Sequence, residues 1–197
     1  MRGLEQIPWL YDGMMLLTEW AGLGRWRAWL AGGARGRVLD LGTGTGRNLP
    51  RLGGTPPPVG LDPCARSLAR ARRRRPGALL VQARAEALPF RDGAFDTVVS
   101  GLAFCSVDDP QASLEEIRRV LAPGGALRML EHVRSEHRLR GAIQDWVQPA
   151  WTAVAGGCRP NRETERTVEG AGFAVERDGR RATDAMRRFQ ARPLPRE

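Results

Sequence analysis

The sequence predicts an α/β domain in which a mostly parallel sheet is covered by helices on both faces. From Arg37 onward, short β-branched or leucine-rich runs alternate with helix-like stretches. A turn with three glycines in five positions, Gly42 to Gly46, follows the first run. An acid, Asp62, closes the second run at about the distance that nucleotide-binding βαβ units place between a glycine turn and a ribose-binding carboxylate.

Taken in order, the segment Ile7 to Leu30 comes first. It sets Trp9, Trp20, Trp26 and Trp29 ahead of the sheet, with Glu19, Gly22 and Arg25 roughly on one helical face. So broad an apolar face has three candidate uses: packing on the core, a lid over a site, or contact with a membrane surface. Strands are expected at Arg37 to Leu41, Pro58 to Leu61, Ala78 to Gln82, Phe95 to Ser100 and Ala126 to His132. Helices are expected near Thr45 to Leu52, at Ala65 to Arg74, at Pro110 to Leu121, where the turn Pro123-Gly124-Gly125 stops it, and from Leu139 to Ala155. Phe173 to Arg177 and Ala185 to Ala191 can pair as late strands around Asp178 and Gly179.

With 197 residues the chain is one domain by length and can bury a core without disulfides or metals. Cys64, Cys105 and Cys158 are odd in number and lack a CxxC pair, so their spacing suggests neither a disulfide framework nor a structural zinc site, and a reducing cytoplasm fits them best. No run approaches the roughly 20 apolar residues of a membrane span, and the N-terminus lacks a signal-peptide pattern, so a soluble protein is expected. All 31 basic residues are arginine and the net charge is +9. Their one dense cluster, Arg70 to Gly77, lies at a helix end, where arginine also suits the helix dipole. A solvated helix end and a specific anion site are both open for it.

The glycines of GTGTG allow a tight strand-to-helix turn and close approach of a ligand to the backbone, and a helix N-terminus there would offer unpaired N–H groups to a carboxylate. The spacing is G-x-G-x-G, and Asp40 stands two residues before Gly42. An acid there does nothing for a pyrophosphate, whereas a ligand carrying an ammonium and a sulfonium is attracted to it. At the tip of the second strand, Asp62 can accept from both ribose hydroxyls and would repel a 2′-phosphate.

These residues, with ARAEALPF (Ala83 to Phe90), FDTVVS (Phe95 to Ser100) and RVLAPGG (Arg119 to Gly125), resemble the class I S-adenosylmethionine-dependent methyltransferases over roughly Arg37 to Val133. The resemblance implies a Rossmann-like, doubly wound, mostly parallel seven-stranded sheet with an antiparallel last strand. It also implies one methyltransferase domain over 1–197, divided into an N-terminal helical lid (1–34), a cofactor-binding core (35–133) and an acceptor-side helix with the last strands (134–197). It further implies S-adenosylmethionine as cofactor. Asp40, Gly42, Thr43, Gly44 and Gly46 would border its methionine half, Asp62 with Pro63 its ribose, Ala85 and Glu86 its adenine, and Ser100 the exit of the fourth strand. Many relatives carry Asp where this chain has Arg84, which cannot accept the adenine amino group. The backbone of Ala85, or Glu86, is expected to replace it.

Methyl transfer is an in-line displacement that needs alignment and exclusion of water. The reacting groups should come from the carboxyl ends of strands four and five, from Ser100 to Phe104 and from Glu131 and His132. SGLAFCSV lacks the Asn/Asp-Pro-Pro-Tyr signature of many enzymes acting on planar amino nitrogens, which weakens a nucleic-acid substrate, and no oxygen-ligand set for magnesium is evident, so no metal is assigned. FCSV, LEHVRS (Leu130 to Ser135), Trp151, GGCRPNRET (Gly156 to Thr164) and AGF (Ala171 to Phe173), with the IPWLYD start, are similar to the small methyltransferases related to methyltransferase-like protein 7. That resemblance implies a small, fairly apolar acceptor, a thiol first and a lipid headgroup or quinone second.

For a thiol, His132 is the natural proton acceptor; closing the fifth strand by a hydrogen bond is its alternative role. Glu131 is a candidate for orienting His132 or shaping the methionine pocket. Arg162 and Asn161 are candidates for the acceptor pocket or for bracing a loop, Cys105 and Cys158 for small buried hydrophobes, and His137 for the surface. Expected partners are the acceptor and a peripheral membrane contact through the N-terminal helix, without specific nucleic acid. The expected location is the cytoplasm, with a membrane-peripheral alternative. A non-catalytic S-adenosylmethionine-binding or RNA-associated module is the competing reading, supported only by the arginines.

Overall fold

The computed structural model describes residues 22–155 and 157–195. In chain order the elements are α1 (Gly24–Gly32), β1 (Val38–Leu41), β2 (Val59–Leu61), α2 (Ala65–Arg74), β3 (Leu79–Val81), β4 (Phe95–Gly101), α3 (Pro110–Val120), β5 (Leu121–His132), α4 (Arg138–Val154), α5 (Thr164–Gly170), β6 (Phe173–Val175), β7 (Arg181–Ala182) and β8 (Met186–Pro193). Short 3-10 turns occupy Leu49–Arg51 and Phe104–Ser106.

The strands form one sheet in the order β3-β2-β1-β4-β5-β8-β6, with β7 attached to β8. Strands β1 to β5 pair in parallel, and β8 lies antiparallel to β5. The expected antiparallel last strand is present. The eighth strand, beyond the seven expected, is the two-residue β7 on the exposed side of β8. From β1 the chain steps outward through β2 and β3, then crosses to β4 on the other side of β1. The carboxyl ends of β1 and β4 therefore form the switch point at which open α/β sheets bind ligands.

Alternation along the strands divides the core into two layers. Leu39, Leu41, Val98, Leu127 and Met129 point into one, with Phe104, Leu114, Ile117, Phe173 and Phe189. Val38, Val99 and Leu130 point into the other, with Leu30, Leu49, Leu52 and Ala71. Asp40 shares the parity of Val38, so its carboxylate is directed towards the layer that α1 covers. Arg128, on that same face of β5, donates from Nε to Leu30 O (3.0 Å) and from Nη2 to Trp29 O (2.6 Å), satisfying carbonyls at the end of α1. Its guanidinium lies 4.1 Å from the Trp29 ring centre.

Several boundaries differ from the sequence reading. The helix expected over Thr45 to Leu52 is instead a bend followed by the 3-10 turn Leu49–Arg51. Gly53, Gly54 and Pro56 to Pro58 leave too few residues for an α-helix, and the Asn48 side chain is drawn inward to Asp40. The turn Pro123-Gly124-Gly125 does end α3, but it lies within β5 as a register shift between the Phe95↔Leu121 and Thr97↔Ala126 pairs. Helix α5 was not anticipated.

Of the proposed lid, only the end falls within the described residues. There Leu30 and Ala31 are buried against the sheet, Trp26 and Trp29 are half-buried, and Arg27 is buried. Trp9 and Trp20 lie outside the described residues. Along α4 the side chains of Leu139, Ile143, Trp146, Trp151 and Val154 form an exposed apolar stripe at helical spacing. Among the described residues, no helix is long and apolar enough to cross a membrane.

Candidate active site

The glycine turn leaves β1 with Gly42, Gly44 and Gly46 all at positive φ (64°, 55° and 81°). At two of them the protein itself fills the space. A Cβ on Gly42 would lie 2.3 Å from the Ala103 Cβ, and one on Gly46 would lie 2.8 Å from Ala71. Gly44 differs: its nearest neighbour would be the Gly42 carbonyl oxygen at 4.0 Å. The absent side chain at Gly44 thus leaves open space at the switch point.

The turn is held from below by Asp40. This wholly buried carboxylate accepts from Thr43 Oγ1 (2.6 Å) and Asn48 Nδ2 (3.0 Å). Asn48 Oδ1 in turn accepts from Arg27 Nη1 of α1 (2.7 Å). Burial pushes the Asp40 carboxyl up to about 6, against the hydrogen bonds from Thr43 and Asn48 and the charge of Arg27, which pull it down.

Asp62, at the tip of β2, holds the turn from the side. Its Oδ2 accepts from Gly44 N (2.9 Å) and its Oδ1 from Cys64 N (2.8 Å). Burial raises its pKa, and these two backbone bonds oppose the rise. Each oxygen keeps a second lone pair for a ligand hydroxyl. Thr43 N donates to Leu61 O and Gly46 N to Thr43 O. The sequence reading expected bare amides at a helix N-terminus here. The structure has no α-helix at this point, and the N–H groups of Thr43, Gly44 and Gly46 are satisfied within the chain.

Beyond β3, Ala85 is buried in the core and Pro63 is exposed at the rim. Glu86 Oε1 accepts from the backbone of Asp108 (2.9 Å) and Asp109 (3.3 Å). Arg84 pairs with Asp108 and Glu86, tying the exit of β3 to the entry of α3. Arg84 is thus engaged by acids at this rim, and Glu86 helps fix the same junction.

At the exits of β4 and β5 the Ser100 side chain is fully buried and donates to Glu131 Oε1 (2.7 Å). The same carboxylate accepts from Phe104 N (3.0 Å), Ala103 N and Cys105 N (3.3 Å each). Glu131 therefore shapes the Leu102–Ser106 turn, and its hydrogen bonds go there instead of to His132. Arg162 braces that turn from the other side, donating to Phe104 O (2.8 Å) and Val107 O (2.6 Å). Asn161 bonds Asp145, and His137 is exposed.

His132 is half-buried, and its Nδ1 faces two sulfurs, Cys158 Sγ at 3.9 Å and Cys105 Sγ at 4.0 Å. The sulfurs are 3.4 Å apart and share a hydrogen bond. That contact holds Cys105 well above the usual thiol range, aided by burial, and lowers Cys158 to about 4, where His132 contributes as well. Burial works against charge on His132, but the Cys158 sulfur outweighs it and raises the imidazole. Sequence spacing gave no sign of this group, because 53 residues separate the two cysteines.

Comparison with known proteins agrees with this architecture. Residues 39–129 match the model of a methyltransferase domain. The chain is 35% identical over 156 residues to human thiol S-methyltransferase TMT1B, a match covering 72% of this chain and 62% of that protein. It is 44% identical over 102 residues to demethylmenaquinone methyltransferase of Thermus thermophilus, covering 48% of this chain and 46% of that one. The chain thus spans less than two thirds of the length of these curated relatives. Among solved structures, a Thermotoga maritima S-adenosylmethionine-dependent methyltransferase, described as a possible histamine N-methyltransferase, has the same fold at a TM-score of 0.75 and 23% identity, over 95% of this chain and 96% of that one. Strand order, glycine turn and these likenesses together mark residues 39–129 as a methyltransferase domain of the class I S-adenosylmethionine-dependent type.

Proposed function

We propose that the protein transfers the methyl group of S-adenosylmethionine to a small, fairly apolar acceptor, a thiol in the first place and a lipid headgroup or quinone in the second. One observation carries this reading: the open space at Gly44, at the switch point, with the buried Asp40 carboxylate behind it and Asp62 beside it. The residues fit the cofactor in shape and charge. A turn without a Cβ at Gly44 admits the amino-acid tail, Asp40 offers negative charge to its cationic groups, and the free lone pairs of Asp62 offer acceptors to ribose hydroxyls. When bound, S-adenosylmethionine supplies an electrophilic methyl on a sulfonium.

The chain's own residues then bind, orient and exclude water. Glu131 and Arg162 fix the Leu102–Ser106 turn, which abuts the glycine turn through Ala103. In this proposal His132, which faces Cys105 and Cys158 next to that turn, serves the acceptor side of the cleft. A thiol acceptor is supported by the name of the human relative and a quinone by that of the Thermus relative. A peripheral membrane contact through the N-terminal segment, and action in the cytoplasm, belong to the same proposal.

The test is to incubate the full chain with methyl-labelled S-adenosylmethionine and panels of alkyl thiols, quinols and phospholipids. A labelled thioether is expected from the alkyl thiols. The absence of any methylated product, together with no uptake of the cofactor or its demethylated product by calorimetry, would sink the reading.

A further inference from the structure

Cys105, His132 and Cys158 come from three separate segments, the turn after β4, the end of β5 and the loop after α4. Their ligand atoms nonetheless form a compact triangle with edges of 3.4, 3.9 and 4.0 Å. A tetrahedral zinc ion, with Zn–S of about 2.3 Å and Zn–N of about 2.0–2.1 Å, holds two sulfurs roughly 3.8 Å apart and sulfur and nitrogen about 3.6 Å apart. The observed triangle reaches that geometry by shifts of about 0.4 Å along each edge. We propose that Cys105, Cys158 and Nδ1 of His132 bind one zinc ion, whose fourth position receives the sulfur of the acceptor thiol.

Charge and support both favour the site. Both cysteines are buried, and an isolated thiolate there is costly to desolvate. Two thiolates and a neutral imidazole balance one divalent ion, so the occupied cluster is electrically neutral. The ligand-bearing loops are tied together around it. Cys105 O accepts from Arg159 N (2.9 Å), Cys158 O accepts from Thr152 Oγ1 (3.0 Å), and the backbone on either side of Cys105 is gripped by Glu131 and Arg162. Such outer contacts are what orient metal ligands. Three protein ligands leave one position open, the pattern of zinc sites that take an exogenous ligand. The sulfurs are buried and the imidazole only half so, which leaves the open side next to His132.

The second half of the proposal rests on the thiol reading above. An acceptor R–SH entering the fourth position forms a Zn–S bond as its S–H bond breaks, and the proton leaves to solvent. No oxidant or reductant is needed. The acceptor thus reaches the cleft as a thiolate without a separate base.

The test uses the full chain, stripped with chelator and titrated with Co2+ alone, then with Zn2+. One Co2+ per chain is expected, with a thiolate-to-metal charge-transfer band and the intense visible bands of a tetrahedral site, both displaced by Zn2+. The Cys105→Ser/Cys158→Ser double variant should lose the charge-transfer band, with circular dichroism confirming that it is folded. His132→Ala should bind Co2+ at least tenfold more weakly, and this serves as the decisive variant should the double one not fold. Absence of stoichiometric uptake, unchanged uptake in the variants, or a Cys105–Cys158 disulfide forming in place of a metal complex would overturn the site. Adding an alkyl thiol should shift the cobalt spectrum. An unchanged spectrum would overturn the fourth-position role and leave the metal site standing, while a cobalt site without thiol methylation would remove only the thiol reading.

Discussion

The backbone N–H of Gly44 donates to Oδ2 of Asp62 across 2.9 Å, so the carboxylate at the tip of β2 fastens the glycine turn that leaves β1. Asp62 therefore has a structural role within the chain as well as a proposed one towards a ribose. Asp62→Ala frees the N–H groups of Gly44 and Cys64 together, and hydrogen bonds to a charged group are each worth about 1.5–3 kcal/mol. Destabilisation of that order is expected by urea unfolding, together with loss of S-adenosylhomocysteine binding by calorimetry. Unchanged stability would contradict the fastening role.

Gly44→Ala and Gly42→Ala should separate conformation from ligand space. Both sit at positive φ, where a left-handed L-residue costs roughly 1–2 kcal/mol. At Gly42 the new methyl also strikes Ala103, so this variant should melt at the lower temperature. Gly44→Ala should stay folded but bind S-adenosylhomocysteine at least tenfold more weakly. Equal affinity to the parent chain would remove the turn from the binding site.

Asp40 sets a pH dependence with opposite signs for stability and binding. Its pKa rises from 3.8 unfolded to about 6 folded. The folded chain therefore holds the extra proton, and this group's contribution to stability falls by about 3 kcal/mol as pH rises from below 4 to above 6. Arg27 lowers and Asp62 raises that pKa, so the residue is best isolated as the difference between the parent and Asp40→Asn across pH 4–8. Binding of the cationic cofactor should tighten over the same interval as Asp40 ionises. Parallel pH profiles in the two proteins would refute both statements.

His132→Ala should lower turnover with an alkyl thiol by tenfold or more and leave S-adenosylhomocysteine affinity within about twofold, because the proposal assigns the imidazole, which faces two sulfurs at the end of β5, to the acceptor. Steady-state kinetics and calorimetry on one preparation check this. A change in affinity without a change in turnover would place His132 in the cofactor site.

Arg128→Met should destabilise the fold by about 1–3 kcal/mol, the cost of leaving buried carbonyls unsatisfied, since Arg128 serves both Leu30 O and Trp29 O. Urea unfolding reads the effect directly. A neutral outcome would mean that water replaces the guanidinium at the end of α1.

The parts legible in the sequence were those encoded by short-range pattern. Strand periodicity located β1 to β6 and β8, and the spacing of Gly42, Gly44, Gly46 and Asp62 located the turn and its flanking acid. Local pattern failed where distant residues decide. The Thr45 to Leu52 helix was overruled by Asn48 turning to Asp40 and by the glycines and prolines that follow. Ser100 reads as a residue facing the site until Glu131, 31 positions away, is seen to accept its hydroxyl. The Cys105, His132 and Cys158 cluster has no spacing signature, because strand order and two braced loops bring the three together.

The chain of contacts from Arg27 through Asn48 to Asp40 carries a further consequence. The charge beneath the glycine turn is anchored by a helix that precedes the methyltransferase-domain match beginning at residue 39. A version trimmed to that match would keep the sheet's central pairing but remove the cationic end of this relay, leaving Asn48 free to swing away and Asp40 with a single donor. Grafting or minimising the domain should therefore begin upstream of Arg27, since the residue that holds Asn48 against Asp40 lies there.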